Sequence, residues 1–350
     1  MLASSTPLQN TPHATPSRYT WLADTTLIQH ADGSADFGDR LSEAAAALTE
    51  DVLAPLTDLG IIVAQGADTD TFLQGQLSND VRELTASHAQ FSSYNSAKGR
   101  VLALPVLIRR AEQIWLALPR DMVAPTLKRL KMFVLRSKVN LADGSDAVLA
   151  LGLAGPNAAA ILADAGLSAP EQPWACLEAA DVVVVRQPGS IPRFALYGSE
   201  LILQALWPPL AARARCVGTQ AWRLLELQSG HPVVHPETQE QHVAQMLNLD
   251  QLDGISFTKG CYPGQEIVAR LHYLGNLKRR MFVGYADVAA TPRGTAVYLA
   301  DGSDQPVGEV LDTALHPQHG LALQFVLQLS ANEALLRLGA TNGPPITLLR

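Results

Sequence analysis

The chain has 350 residues, of which 47% are hydrophobic and 17% charged, and its formal net charge is −7 at pH 7. This length and composition predict a folded protein of two or three units with a large core, and they exclude an intrinsically disordered chain. The acidic balance argues against a nucleic-acid binder held by bulk electrostatics, although it leaves room for a local basic patch.

The cysteine content favours a reducing compartment. Cys176, Cys216 and Cys261 lie far apart in the sequence and form no CxxC pair, so neither a disulfide framework nor a zinc knuckle is indicated. The first residues contain no basic region followed by an apolar run, and no later segment is long and apolar enough to span a membrane. We therefore expect a soluble, cytoplasmic protein without a membrane partner.

Residues 1–20 are rich in Ser, Thr, Pro and Asn and carry too few aliphatic side chains to offset the entropy of ordering them. The composition predicts a mobile tail over this range. An alanine-rich amphipathic stretch at 41–53 then indicates a short helix, with Ser42 as its N-cap and Pro55 after its end.

Residues 60–145 predict a first α+β unit. An apolar strand at 60–64 precedes a helix capped by Asp68, and two β-rich runs then flank a turn at 95–99 whose Asn, Ser, Lys and Gly are typical of a hairpin. A third strand, a helix of roughly helical apolar spacing and a fourth strand follow.

From Ala147 a similar order of strands and helices starts again. It predicts a duplication of α+β units within a core at 21–275, with a boundary near residue 145, although no residues align between the two halves. Thr219 is expected to cap a helix that ends at Gly230. Short apolar runs separated by turn residues fill 276–350 and predict a small antiparallel β-barrel or sandwich.

The stretch FTKGCYPGQEIVARLH at 257–272 holds the densest set of chemically useful residues. Pro263 suits the first position of a helix, which would place Cys261 just outside the positive end of that helix. Together with Lys259, this position favours the thiolate and predicts a nucleophilic or redox-active sulfur. The alternative is that Cys261 is a small buried apolar residue.

Other polar patterns allow more than one interpretation. Gly264 lets backbone amides approach a ligand and Gln265 can present both a donor and an acceptor, but an ordinary turn and helix cap need the same residues. His231 and His235 have a spacing that suits a metal on a helix; because a proline follows each of them, no metal is expected. A basic run at 278–280 fits an anionic ligand or a solvated face equally well.

Several of these motifs together resemble one family. KGCYPGQE at 259–266, followed by GNLKRR at 275–280, is similar to the signature of the YgfZ family of folate-binding proteins, which is related to the T-protein (aminomethyltransferase, GcvT) of the glycine cleavage system. FLQGQLSNDV at 72–81, YNSAKGR at 94–100 and LLELQSGHP at 224–232 agree. The resemblance implies an α+β fold: a GcvT-like three-domain ring with ferredoxin-like α/β units, a C-terminal small β-barrel and a central hole of tetrahydrofolate size.

The same resemblance implies a folate-binding accessory protein in iron–sulfur cluster assembly or repair, supporting enzymes that include tRNA-modifying ones. Tetrahydrofolate or a derivative is the implied cofactor, and iron–sulfur proteins or their assembly factors are the implied partners, without direct contact to nucleic acid. The implied catalytic residues are Cys261 and Lys259. The implied folate-binding residues are Gln76, Asn79, Asp80, Asn95, Lys98, Arg100, Gln228, Gly264 and Gln265.

Two departures from the aminomethyltransferases bear on activity. Their acidic residue for one-carbon transfer falls here on Ala103 and Leu104, and the glutamate that binds the pterin ring falls on Gln228. Alanine and leucine cannot carry a proton, and glutamine cannot give a charge-assisted hydrogen bond. Glycine-cleavage activity is therefore not expected. A tetrahydrofolate-dependent aminomethyltransferase or demethylase is the alternative, and a scaffold with a vestigial pocket is the third interpretation.

Overall fold

A computed structural model describes residues 18–25 and 27–349 of the chain. The helices are α1 (Arg40–Thr49), α2 (Thr69–Gln74), α3 (Arg120–Val134), α4 (Ala158–Asp164), α5 (Glu200–Ala211), α6 (Thr219–Gln228) and α7 (Gln265–Tyr273). The strands are β1 (Ile28–Gln29), β2 (Ala35–Asp36), β3 (Val52–Pro55), β4 (Leu59–Gln65), β5 (Gln90–Phe91), β6 (Tyr94–Asn95), β7 (Val101–Ala103), β8 (Val106–Arg110), β9 (Gln113–Pro119), β10 (Asn140–Asp143), β11 (Leu149–Ala154), β12 (Cys176–Ala179), β13 (Val182–Gln187), β14 (Arg193–Gly198), β15 (Arg215–Cys216), β16 (Arg279–Ala286), β17 (Ala296–Leu299), β18 (Gly308–His316), β19 (Gly320–Gln328), β20 (Leu336–Leu338) and β21 (Pro345–Leu348).

The first sheet has the antiparallel order β10-β4-β9-β8-β5. The chain order β4-α2-β8-β9-α3-β10 gives it a ferredoxin-like arrangement, in which α3 packs against β4, β9 and β10. Alternate residues of β9 face opposite sides, as the period of a strand requires. Leu116 packs in a cluster with Met122 of α3, whereas Ala117 belongs to the core on the other face.

The second sheet has the order β12-β13-β14-β11-β3-β15. Its chain order β11-α4-β13-β14-α5-β15 is again ferredoxin-like, but β3, which precedes the first unit in sequence, is inserted between β11 and β15. The helices α4 and α5 cover one face of this sheet. The other face meets the first sheet across a shared core that includes Trp115, Ala117, Ala150 and Ala195.

The last six strands close into a barrel with the order β16-β19-β18-β17-β20-β21. Phe325, Leu323 and Val310 are fully buried in its own core. The predicted α+β class, the ferredoxin-like units and the C-terminal barrel are therefore confirmed. Within the described residues, no helix is both long and apolar enough to cross a membrane.

The structure corrects several predicted boundaries. Residues 1–17 of the predicted tail lie outside the described residues, but Tyr19 is fully buried and its hydroxyl donates to the Ala150 carbonyl at 2.8 Å. The first helix ends at Thr49, because 52–55 forms β3, and Asp39 rather than Ser42 caps it by accepting from the Ser42 N–H. Helix α6 begins at Thr219 itself, so Gly218 holds the cap position.

Candidate functional site

A central cleft lies between the two sheets; the space free of protein atoms within it and at its open mouth is about 720 Å³. Strands β8 and β9 line one side, β14 lines the other, and α6 lines the base. Apolar and aromatic side chains dominate, as in sites for flat organic ligands. The lining residues are Leu56, Asp58, Leu59, Leu104, Val106, Ala117, Leu118, Pro119, Gln187, Ala195, Tyr197, Trp222, Arg223, Glu226, His231, Val233 and His235.

A buried charge network at the base of the cleft joins α6 to the barrel. The Arg223 guanidinium donates to Glu226 at 2.8 Å and to Asp312 of β18, and Arg293 also donates to Asp312 at 2.8 Å. Burial alone would lower the pKa of Arg223, but the carboxylates of Asp312 and Glu226 raise it above its ordinary value. Both carboxylates therefore stay ionised beside the cleft.

Asp58 brings a second carboxyl to the cleft from the loop between β3 and β4. Burial raises its pKa to about 6, and the negative charge of Glu226 adds to the shift, while Arg223 and His235 oppose it. No other residue in the described part of the chain donates a hydrogen bond to this carboxyl. Asp58 is thus a half-buried acid whose oxygens remain available to a ligand.

His231 separates the central cleft from a second, wider cavity and lines both. Its ring packs 4.4 Å from the Phe91 ring and 5.6 Å from the Trp174 ring, measured between centroids. Burial lowers the pKa of His231 to about 4, so the imidazole is neutral at physiological pH. Glu83 and Asp253 line the wide cavity, which gives that space an acidic character.

Three nitrogens of cleft-lining side chains are buried without a hydrogen-bond partner among the described residues. They are Nη2 of Arg223, Nε2 of Gln187 and Nε2 of His231. Leaving a buried polar group unpaired costs roughly 1–3 kcal/mol, and more when the group is charged. Unpaired groups that converge on one cleft are typical of a binding site that a polar ligand completes.

Lys259 is buried inside the structure and holds the cysteine loop, which we define as 256–264, against the end of α2. Its ammonium donates to the carbonyls of Gln74, Leu77 and Asn79 at 2.8, 2.6 and 2.7 Å. Burial lowers the pKa of Lys259 to about 8, and the Asp80 carboxylate opposes the change. All three ammonium hydrogens are engaged, which leaves none for the sulfur of Cys261.

The cysteine loop also meets the hairpin turn at 95–99. A Cβ placed on Gly264 would lie 2.4 Å from Cα of Gly99 and 2.6 Å from the Ser96 carbonyl, and the φ of Gly264 is 77°. A side chain on Gly99 would meet Ile267 at 2.8 Å. Two motifs separated by more than 160 residues in sequence are therefore in backbone contact, and glycine is required on both sides.

Cys261 is exposed at the outer side of this loop. Helix α7 begins at Gln265 with Gly264 at the cap position, so Pro263 precedes the cap instead of occupying the first helical position. Cys261 consequently lies further from the helix end than predicted. The described residues lining the central cleft do not include Cys261, although Phe257 and Thr258, just before it, line the wide cavity.

The predicted folate-binding residues that follow α2 lie among the loops around the wide cavity. Asn79 lines this cavity, and its amide donates to the carbonyls of Phe91 and Asp253 at 2.9 and 2.6 Å. Asp80 pairs with Arg82, whose hydrogen bond lowers the pKa of the carboxyl to about 2. Gln76 has a buried Oε1 without a partner in the described part of the chain.

The predicted hairpin residues divide into buried and exposed ones. Asn95 is 1% exposed, and neither its Oδ1 nor its Nδ2 has a partner among the described residues. Lys98 is exposed at the turn, and Arg100 donates to the Gln241 carbonyl at 2.5 Å. Gln265, the first residue of α7, donates to the Lys259 carbonyl of the cysteine loop at 3.4 Å.

Gln228 lies at the end of α6 and does not line the central cleft. Its amide is 3.5 Å from the Tyr285 hydroxyl of the barrel. By contrast, Leu104 does line the cleft, and Ala103 is fully buried behind it. The structure thus brings Asn79 to the wide cavity and the cysteine loop to the hairpin. The central cleft is lined by residues other than the predicted folate-binding ones.

Sequence reasoning does not single out Asp58, Gln187, Arg223 or Glu226 as site residues. A signal was present for two of them, because Arg223 and Glu226 are charged residues three apart on the otherwise apolar face of α6. Asp58 gives no such signal, because aspartate is common in the turns that join two strands. Gln187 ends an apolar strand and gives no comparable signal.

Comparisons with known proteins identify relatives. The chain is 33% identical to a protein named tRNA-modifying protein YgfZ of Colwellia psychrerythraea over 237 residues, which are 68% of this chain and 72% of the relative. A protein of the same name from Serratia proteamaculans is 32% identical over 277 residues, or 79% of this chain and 84% of the relative. No family model matches the chain.

Among solved structures, the fold is similar to that of the glycine cleavage system aminomethyltransferase T from Bartonella henselae, with a TM-score of 0.69. The similarity covers 89% of this chain and 88% of that one at 17% identity, which establishes a shared fold. The alignments with the two relatives named YgfZ cover more than two thirds of each relative's length. The chain therefore belongs to the YgfZ family.

Proposed function

We propose that the central cleft binds a reduced folate and that the protein uses it as an accessory factor in the assembly or repair of iron–sulfur proteins. The observation that carries the folate assignment is the set of three unpartnered nitrogens, on Gln187, Arg223 and His231, in the lining of a mostly apolar cleft. A ligand for this cleft needs a flat apolar body with several polar groups along its edges.

Tetrahydrofolate fits this description. The amide of Gln187 and the free Nη2 of Arg223 can donate to the carbonyl oxygen of a pterin, and the Asp58 carboxyl can accept from its N–H groups. Trp222 and Leu104 offer apolar surface to the ring.

The exposed thiol of Cys261 is the group through which the protein would act on a cluster or on a partner. It lies on a loop that Lys259 and Gly264 fix in place, so its position is defined although it is open to solvent. Iron–sulfur proteins or their assembly factors would be the partners. Because the relatives are named tRNA-modifying proteins, we place the action on tRNA downstream, through cytoplasmic iron–sulfur enzymes that modify it.

The folate assignment is tested by titrating tetrahydrofolate while the heat and the tryptophan fluorescence are recorded, since Trp222 lines the cleft. Saturable binding by the wild type and about tenfold weaker binding by Gln187→Leu are expected, because one buried hydrogen bond is lost. Gln318→Leu, in the exposed turn between β18 and β19, is the matched control. Absence of heat and fluorescence change with the wild type would refute the assignment.

The iron–sulfur assignment is tested separately in a strain lacking the protein. Cys261→Ala should fail to restore the activity of iron–sulfur enzymes under oxidative stress, whereas Cys216→Ala, which removes a half-buried thiol elsewhere, should restore it. Full restoration by Cys261→Ala would show that the function does not need this thiol.

The alternative of an aminomethyltransferase or demethylase gains no support from the hairpin. The position expected to carry the transfer acid presents Leu104 to the cleft. We expect no release of methylene-tetrahydrofolate from an aminomethyl donor.

A further inference from the structure

We propose that Asp58 is the proton-exchange residue of the central cleft and gives a proton to a basic nitrogen of the bound ligand. The inference rests on the proposed folate function and adds to it a residue that neither the resemblance nor the comparisons assign. It follows from the contacts of every ionisable group that faces the cleft.

Burial raises the pKa of the Tyr197 hydroxyl well above its ordinary value, so this group keeps its proton. Three further ionisable side chains of the cleft are already hydrogen-bonded. Glu226 accepts from Trp222 Nε1 at 3.2 Å and from Arg223 at 2.8 Å, so its two oxygens are both bonded. Arg223 is held between Glu226 and Asp312. His235 is bonded through Nδ1 to Asp121 at 2.8 Å.

His231 is a poor source of protons because burial keeps its imidazole neutral; its pKa is lowered to about 4. Asp58 is the remaining acid, and in the described part of the chain no other residue donates to its carboxyl. Three neighbouring groups act on its charge: Glu226 on α6 raises its pKa, and Arg223 on α6 and His235 in the following loop lower it. The balance, dominated by burial, brings the pKa to about 6.

The pKa and the free oxygens of the Asp58 carboxyl together determine its chemistry. An acid with a pKa near neutrality exchanges protons readily with an amine nitrogen, which is the property expected of a general acid or base. In the step, the O–H bond of the Asp58 carboxyl breaks and an N–H bond forms on the ligand. Above pH 6 the carboxylate first takes this proton from solvent, which the half-buried side chain can reach, and after the transfer it stays ionised beside the protonated ligand. The apolar side chain of Leu104, which lines the same cleft, supplies no proton.

Binding of tetrahydrofolate should therefore take up a proton. Above pH 6 the carboxyl of the free protein is mostly ionised, so the complex has to gain the proton from solution. Calorimetric titrations at pH 7.5 in two buffers with different ionisation enthalpies measure this uptake directly. We expect close to one proton per bound ligand for the wild type and about none for Asp58→Asn.

Two further variants make the outcome decisive. Asp58→Ser removes the carboxyl with a smaller side chain and covers the case in which Asp58→Asn folds poorly. Glu112→Gln, exposed in the turn between β8 and β9, should show the wild-type proton uptake. Binding by the wild type without proton uptake, or with the same uptake by Asp58→Asn, overturns this inference and leaves the folate assignment standing. Absence of binding by the wild type refutes both.

Discussion

Gly99 and Gly264 lie backbone against backbone, so that a Cβ on Gly264 would be 2.4 Å from the Cα of Gly99. This contact joins the hairpin turn to the cysteine loop. It also explains why two sequence motifs far apart in the chain have glycines at these positions: no side chain fits between them, and the φ of both residues is positive.

Gly264→Ala should therefore destabilise the protein by roughly 3 kcal/mol, from the unfavourable φ and from displacement of the turn. Denaturant unfolding measures the change. Gly260→Ala, four residues earlier in the same loop, is the matched control, because a Cβ there meets no atom within 4 Å. Equal stability of the two variants would show that the contact is not close in solution.

The strands around this contact are largely predictable from the sequence. A continuous apolar run predicts β9, and the Asn, Ser, Lys and Gly of the turn predict the hairpin of β6 and β7. The insertion of β3 between β11 and β15 is not predictable, because its two pairings join residues about 100 and about 160 positions apart. Local patterns carry no information about such a pairing.

The site is less predictable than the fold. The sequence places Lys259 two residues from Cys261 and so favours an electrostatic effect on the thiol. In the structure the ammonium donates instead to carbonyls 180 to 185 residues away, such as that of Leu77. In the same way, Gln228 is three residues from His231 in sequence but contacts Tyr285 of the barrel. In both cases the direction of the side chain depends on tertiary contacts.

Arg223→Met should be strongly destabilising. It leaves the Asp312 carboxylate buried with only Arg293 as a cationic partner, and losing one member of a buried ion pair costs about 3–5 kcal/mol. The comparison is with Arg213→Met, which breaks an exposed pair with Asp164 and should cost about 0–1 kcal/mol. Similar free energies of unfolding for the two variants would contradict a buried network at the α6–barrel contact.

Gly152→Ala should disturb the base of the central cleft. A Cβ on this residue of β11 would lie 2.6 Å from the indole ring of Trp222, which must move or tilt. We expect a shift of the tryptophan emission and a loss of tetrahydrofolate affinity of about tenfold, with a stability cost of about 1–3 kcal/mol.

Gly198→Ala on the neighbouring strand β14 controls for adding a methyl group to this sheet. Its nearest atoms would be 3.5 Å away, an ordinary contact. If Gly152→Ala bound the folate as tightly as Gly198→Ala, the ligand would not lie against Trp222.

Asp58→Asn should stabilise the folded protein at pH 7.5 while changing its stability little at pH 3.5. Burial raises the pKa of Asp58 from 3.8 to about 6, so the folded state binds more protons than the unfolded state between these values. The stability contributed by the neutral acid is therefore fully present below pH 3.8 and is lost as pH rises through 6. Asparagine is neutral at every pH and avoids this loss, which amounts to about 2 kcal/mol at most in a half-buried position. Denaturant unfolding of both proteins from pH 3.5 to 8 gives the difference in free energy, and a difference independent of pH would show that the Asp58 carboxyl is solvated like an exposed one.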